Sequence, residues 1–172
     1  MLAFGAARSA RAEVFLAKRE ALAAAFPGAD RIEKRRFFLT KEQVERVRRL
    51  SGAELESALV TVHVGHRGAK TLGYAFLVTH PVRTSPETLL VVVTPEGGVG
   101  DVLLLAFYEP PEYRPRRRWL EQFRGQALDR HLRVGRRIHG IAGATLTSRA
   151  ATRGVRQALA LYAVLIRDRR DP

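Results

Sequence analysis

The chain has 172 residues, of which 46% are hydrophobic and 27% charged, proportions that suit one folded domain and exclude wholesale disorder. It contains no cysteine, which rules out a disulfide framework, a thiolate metal site and a catalytic thiol, so any redox chemistry must come from a bound cofactor. The formal net charge of +13 is unevenly spread: residues 111–172 hold 15 basic and 5 acidic side chains, against 3 and 6 in residues 51–110, and an anionic cofactor, anionic lipid or nucleic acid would be drawn to the C-terminal segment.

In chain order, residues 1–12 are short and interrupted by Arg8 and Arg11, and Ala10-Arg11-Ala12 has the look of a small-residue cleavage site. The expectation is the remnant of an export signal whose start lies upstream, or a frayed terminus. No apolar stretch approaches the ~20 residues of a membrane span. Val14 to Phe26 reads as a helix with Phe15, Leu16, Leu22 and Phe26 turned inward, ended by Pro27-Gly28. Phe37-Phe38-Leu39 suggests a short strand. Thr40-Lys41-Glu42-Gln43 has the spacing of a capping box and opens a second helix to about Leu50.

The middle of the chain reads as strands. Leu59 to Val64 alternates, with Leu59, Thr61 and His63 on one face and Val60, Val62 and Val64 on the other, before a turn at Gly65-His66-Arg67-Gly68. Leu72 to Thr79 pairs back. Leu89 to Thr94 and Val99 to Phe107 form a further hairpin about Pro95-Glu96-Gly97-Gly98, and the apolar run Val102 to Leu105 implies that helices cover at least one face of the sheet. Tyr108-Glu109-Pro110-Pro111-Glu112-Tyr113 follows, its prolines holding the chain extended. Trp119, Leu120 and Phe123 could dock a short helix on the sheet. The expected fold is therefore α+β, with a central, mainly antiparallel sheet, flanking helices and a C-terminal helix.

The stretch richest in chemistry is Gly140-Ile141-Ala142-Gly143-Ala144-Thr145-Leu146-Thr147-Ser148. Its glycines and alanines leave the backbone bare, three hydroxyls follow, and a helix then begins, marked by Ala151, Val155, Ala158, Leu159, Tyr162, Leu165 and Ile166 at spacings of three and four. The unpaired N–H groups of a first helical turn, with the positive end of the helix dipole, suit a phosphate. Thr147 or Ser148 is the natural N-cap. Arg149, Arg153 and Arg156 form a second stripe on the same helix.

Gly143-Ala144-Thr145-Leu146-Thr147-Ser148 resembles the signature of the FMN-binding domain family, as in the C subunit of sodium-translocating NADH:quinone oxidoreductase and the G subunit of the Rnf electron-transport complex. The family pattern is D-x-x-S/T-G-A-T, and a flavin transferase joins FMN through its phosphate to the last threonine, which corresponds to Thr145. The family's Asp and Ser/Thr fall on His139 and Ala142. The resemblance implies a single FMN-binding domain over residues 13–172, with Thr145, Gly143, Ala144, Leu146, Thr147 and Ser148 at the cofactor. It also brings in Glu109, which matches the Glu of an E-T-P-G segment lying by the flavin ring in that family. It further implies an electron carrier rather than a self-contained catalyst, with FMN attached at Thr145 or held noncovalently. The implied partners are a flavin transferase and membrane redox-chain subunits, not nucleic acid, and the implied location is periplasmic, at the outer face of the cytoplasmic membrane. The rival reading is a non-redox basic module that binds nucleic acid or an anionic surface through its arginines. No side-chain set points to a catalytic centre or to a metal: His63 and His66 lack a third ligand.

Overall fold

A computed structural model describes residues 18–169. Strands β1 (Arg31–Phe38), β2 (Leu59–Arg67), β3 (Lys70–Pro81), β4 (Pro86–Val93) and β5 (Val99–Phe107) lie side by side in chain order, each antiparallel to the next. Four helices accompany them: α1 (residues 18–25), α2 (Lys41–Ser51), α3 (Arg117–Leu120) and α4 (Thr145–Leu165). This is the α+β architecture expected from the sequence. The export-signal-like segment and the start of the first expected helix, with Phe15 and Leu16, lie outside the described residues.

The second helix follows from its cap. Thr40 Oγ1 accepts the Gln43 N–H at 3.2 Å while Gln43 Oε1 accepts the Thr40 N–H at 3.0 Å, so two donors left orphan by the helix start are satisfied reciprocally. Strand boundaries depart from the sequence reading where apolar signal is absent. β1 begins at Arg31, well before Phe37, because as an edge strand it needs little apolar side chain: six of its eight residues are exposed. β2 runs on through the expected turn to Arg67, with Gly65 at a bulge inside the strand. β4 begins at Pro86, a proline that can occupy a first strand position without breaking the ladder.

The two faces of the sheet carry separate cores. Val60, Val62, Val64, Tyr74, Phe76, Leu89, Val91 and Val93 face α4 and α2, whereas Ala75, Leu90 and Val92 pack with Leu22, Ala25 and Phe26 of the first helix and its end. Helix α4 is buried over most of its length, and of its 21 residues the exposed ones are Thr145, Leu146, Arg149 and Arg153. Its close approach to β3 depends on Gly154, since a Cβ there would come within 2.5 Å of the His80 ring. His80 Nε2 in turn meets the fully buried carboxylate of Glu87 at 2.7 Å across the β3–β4 pair.

Arg156 differs from Arg149 and Arg153, the exposed members of its stripe. It is 8% exposed and its guanidinium donates to the carbonyls of Leu50 and Ser51 at the end of α2 and of Asp129 and Leu132 in the loop before α4. A guanidinium with five fixed donors can close three chain segments on one another where a lysine could not. This pins the loop that leads into the glycine-rich stretch.

On the other face His63 is buried with its Nδ1 unpartnered among the described residues. Burial, and then the cations of Lys18 and Lys34, push its imidazole down from 6.5 to about 4. The unfolded imidazole therefore takes its proton before the folded one. The stability tied to this group is complete above pH 6.5 and is lost as the pH falls from 6.5 towards 4. Urea denaturation across that window should show a steeper loss for the wild-type chain than for His63→Leu; parallel curves would contradict this account.

Candidate functional site

Two walls, built from distant parts of the sequence, enclose a cleft of about 620 Å³. One wall is Gly143 to Thr147 at the start of α4. The other is the β3–β4 turn, Val82 to Ser85, with Tyr108, Glu109, Pro110 and Tyr113 just after β5. The volume falls in the ~300–1,000 Å³ range of small-molecule and cofactor sites.

The α4 wall is assembled by backbone anchors. Trp119 Nε1 donates to the His139 carbonyl at 2.7 Å and Gln122 Oε1 accepts the His139 N–H at 2.9 Å, so His139 is fixed through its main chain. Gly143 then adopts φ +75°, a left-handed conformation that a Cβ disfavours by roughly 1–2 kcal/mol. The helix starts earlier than its hydroxyls suggest: Thr145 is its first residue, and the N-cap is Ala144 in place of Thr147 or Ser148, with a methyl that caps nothing. Ser148 is diverted inward, accepting the Ile141 N–H at 2.8 Å and donating to the Ala144 carbonyl at 3.0 Å, so it clips the loop to the helix. It is fully buried and outside the cleft lining.

The consequence is a set of unsatisfied donors. The first intrahelical bond from this end is Ser148 N–H to the Ala144 carbonyl, leaving the N–H groups of Thr145, Leu146 and Thr147 without a partner among the described residues. Thr147 is 1% exposed and lines the cleft, and its side chain makes no hydrogen bond with the described residues. A hydroxyl at that place can donate to or accept from a group in the cleft. Thr145 is exposed at the helix tip beside it, and Leu146 is 50% exposed at the rim.

The facing wall is held by Glu109. One carboxylate oxygen, Oε1, accepts three consecutive backbone N–H groups, from Arg83 at 3.1 Å, Thr84 at 2.8 Å and Ser85 at 2.8 Å. The bonds from Ser85 and Thr84 hold its carboxyl below the usual carboxylate range, with a lesser pull from Arg83. Glu109 thus closes the β3–β4 turn and sets the spacing of the cleft. After it, Pro111–Tyr113 forms one tight helical turn where the sequence suggested extended chain, and this places Tyr113 at the cleft.

Of the residues expected at the cofactor, Thr145, Gly143, Ala144, Leu146, Thr147 and Glu109 line one cleft, and Ser148 supports it from behind. The sequence reading missed Arg83, Thr84, Ser85 and Tyr113. Thr84-Ser85-Pro86 carries an ordinary turn signal, but nothing local ties it to a carboxylate more than twenty residues later. The chain matches no family model, and no curated protein matches it.

Removing the Glu109 carboxylate should loosen this turn. In Glu109→Ala the amides of Arg83, Thr84 and Ser85 should exchange with solvent about tenfold faster or more, while amides of the central strands keep their protection. Unchanged exchange at those three positions would show that Glu109 does not hold the turn.

Proposed function

We propose that this chain is an FMN-binding electron carrier that holds the flavin phosphate at Thr145, with the ring in the cleft between α4 and the β3–β4 turn. The observation that carries the reading is the meeting, in one cleft, of a helix start whose first N–H groups have no partner among the described residues, the hydroxyl-bearing Thr147 and the Tyr108–Tyr113 segment. The residues suit the group. The exposed Thr145 hydroxyl is accessible to another enzyme, the first-turn N–H groups match a phosphate, and Tyr108, Tyr113 and Leu146 offer apolar surface to a flat ring.

Bound flavin would supply the electron chemistry. The protein's part is to grip the phosphate, shield one side of the ring and fix its orientation. Attachment at Thr145 needs outside help, since a threonine hydroxyl is a weak nucleophile and no general base bonds to it among the described residues. A flavin transferase is the proposed partner, with membrane redox-chain subunits as electron donor or acceptor and the outer face of the cytoplasmic membrane as the place of work. No helix among the described residues is long and apolar enough to cross a membrane.

The rival reading rests on arginines without acidic partners: Arg114, Arg116, Arg118, Arg133 and Arg136 form no ion pair with a described carboxylate, in contrast to Arg117 with Asp101 and Arg137 with Asp129. A module working through those charges would be colourless and would bind nucleic acid with an affinity that falls steeply with salt.

Co-expression with a flavin transferase separates the two readings. The purified protein should be yellow and heavier by one FMN less the water lost in forming the phosphoester, and Thr145→Ala should lack that mass while staying folded. Colour that leaves on denaturation would identify noncovalent binding, to which His139 and Ala142, in place of the family's Asp and Ser/Thr, offer no obstacle. A colourless protein that also fails to bind added FMN would overturn the proposal.

A further inference from the structure

The charged side chains lining the cleft are Arg83 and Glu109. One oxygen of the carboxylate, Oε1, is engaged, accepting the N–H groups of Arg83, Thr84 and Ser85. The guanidinium is not: Arg83 forms neither an ion pair nor a side-chain hydrogen bond with the described residues, although it lies at the edge of a wall otherwise held rigid. Glu109 therefore aligns the backbone of Arg83 and meets its positive charge only through space, so the cleft keeps a cation that no ion pair or side-chain hydrogen bond among the described residues holds.

The place of that cation separates it from the phosphate. Arg83 belongs to the wall of Tyr108 and Tyr113, to which it is tied through Glu109 and through the Tyr108 N–H to the Pro86 carbonyl at 3.2 Å. The phosphate donors stand on the other wall, at the start of α4. A flavin that spans the cleft with its phosphate at Thr145 brings its ring to the Arg83 side.

Flavin chemistry then gives the cation a role. Oxidised FMN accepts two electrons and one proton to become a reduced form whose ring bears a negative charge, shared between N1 and the C2 carbonyl. A guanidinium beside that edge interacts more strongly with the reduced ring than with the neutral oxidised one. We propose that Arg83, positioned by Glu109, is a ligand-facing cation that makes the cleft bind reduced FMN more tightly than oxidised FMN. This rests on the flavin reading of the same cleft and adds to it the residue that biases the cofactor's redox state.

The test measures binding in both states, on protein made without a flavin transferase. Affinities of wild type, Arg83→Ala, Arg83→Gln and Arg83→Lys for FMN and for riboflavin are compared by anaerobic calorimetry, with and without dithionite as reductant. Arg83→Ala and Arg83→Gln should lose about tenfold in affinity for reduced FMN and less than about threefold for oxidised FMN, as expected for one charge contact near the surface. Reduced riboflavin should show the same loss, and Arg83→Lys should restore most of the preference. If all variants keep the wild-type ratio of reduced to oxidised affinity, the role of Arg83 is refuted while the flavin site stands. A loss confined to FMN, in both states and absent with riboflavin, would move Arg83 to the phosphate and equally refute it. Failure of the wild-type protein to bind either flavin in either state would bring down the flavin reading itself.

Discussion

The structure depends on the burial of α4. This helix completes the core on the inner face of the sheet, and each large aliphatic side chain it withdraws from water contributes about 1.5–3 kcal/mol. Its position is fixed along its length: by Gly154 against the His80 ring, by Tyr162, whose hydroxyl donates to the Pro95 carbonyl at 2.6 Å, and by Arg156, which gathers the carbonyls of α2 and the preceding loop. A helix so constrained cannot shift to hide its start. Its first three N–H groups remain where the core puts them, uncapped because Ala144 has no side chain to offer.

The second constraint is the answering wall. A β3–β4 turn at one end of the sheet would ordinarily be among the looser parts of a fold. Here a single carboxylate, arriving from the far end of β5, accepts three of its N–H groups and ties it down. The cleft is therefore bounded by one element held by packing and another held by a charge-assisted hydrogen-bond cluster. Preorganisation of this kind favours binding, because little conformational freedom remains to be lost when a ligand enters.

Much of the fold was legible in the chain. The alternation of Leu59 to Val64, the Pro95-Glu96-Gly97-Gly98 turn before β5 and the Thr40 to Gln43 capping box each state their structure locally, and each was found where expected. Legibility failed where a residue's role is set by distant partners. Arg156 shares a stripe with the exposed Arg149 and Arg153, yet it is buried because carbonyls from two other segments converge on it. Ser148 reads as a cap or a phosphate ligand, but the helix begins early enough to draw its hydroxyl back onto Ile141 and Ala144. Glu109 was singled out through a family resemblance and stands at the cleft, but its task of holding a turn could not be inferred without the strand order that brings residues 83–85 beside it. Arg83 gave no signal for the same reason.

The central claim is that the uncapped start of α4 and the turn held by Glu109 face one ligand that bears a phosphate. Titration of the isotopically labelled protein with FMN, followed through the backbone amide resonances, tests it most directly. The account predicts that the largest shifts fall on the amides of Thr145, Leu146 and Thr147, with a second group on Arg83, Thr84 and Ser85. Shifts confined to the arginine-rich segment from Arg114 to Arg137, or none at saturating FMN, would contradict it.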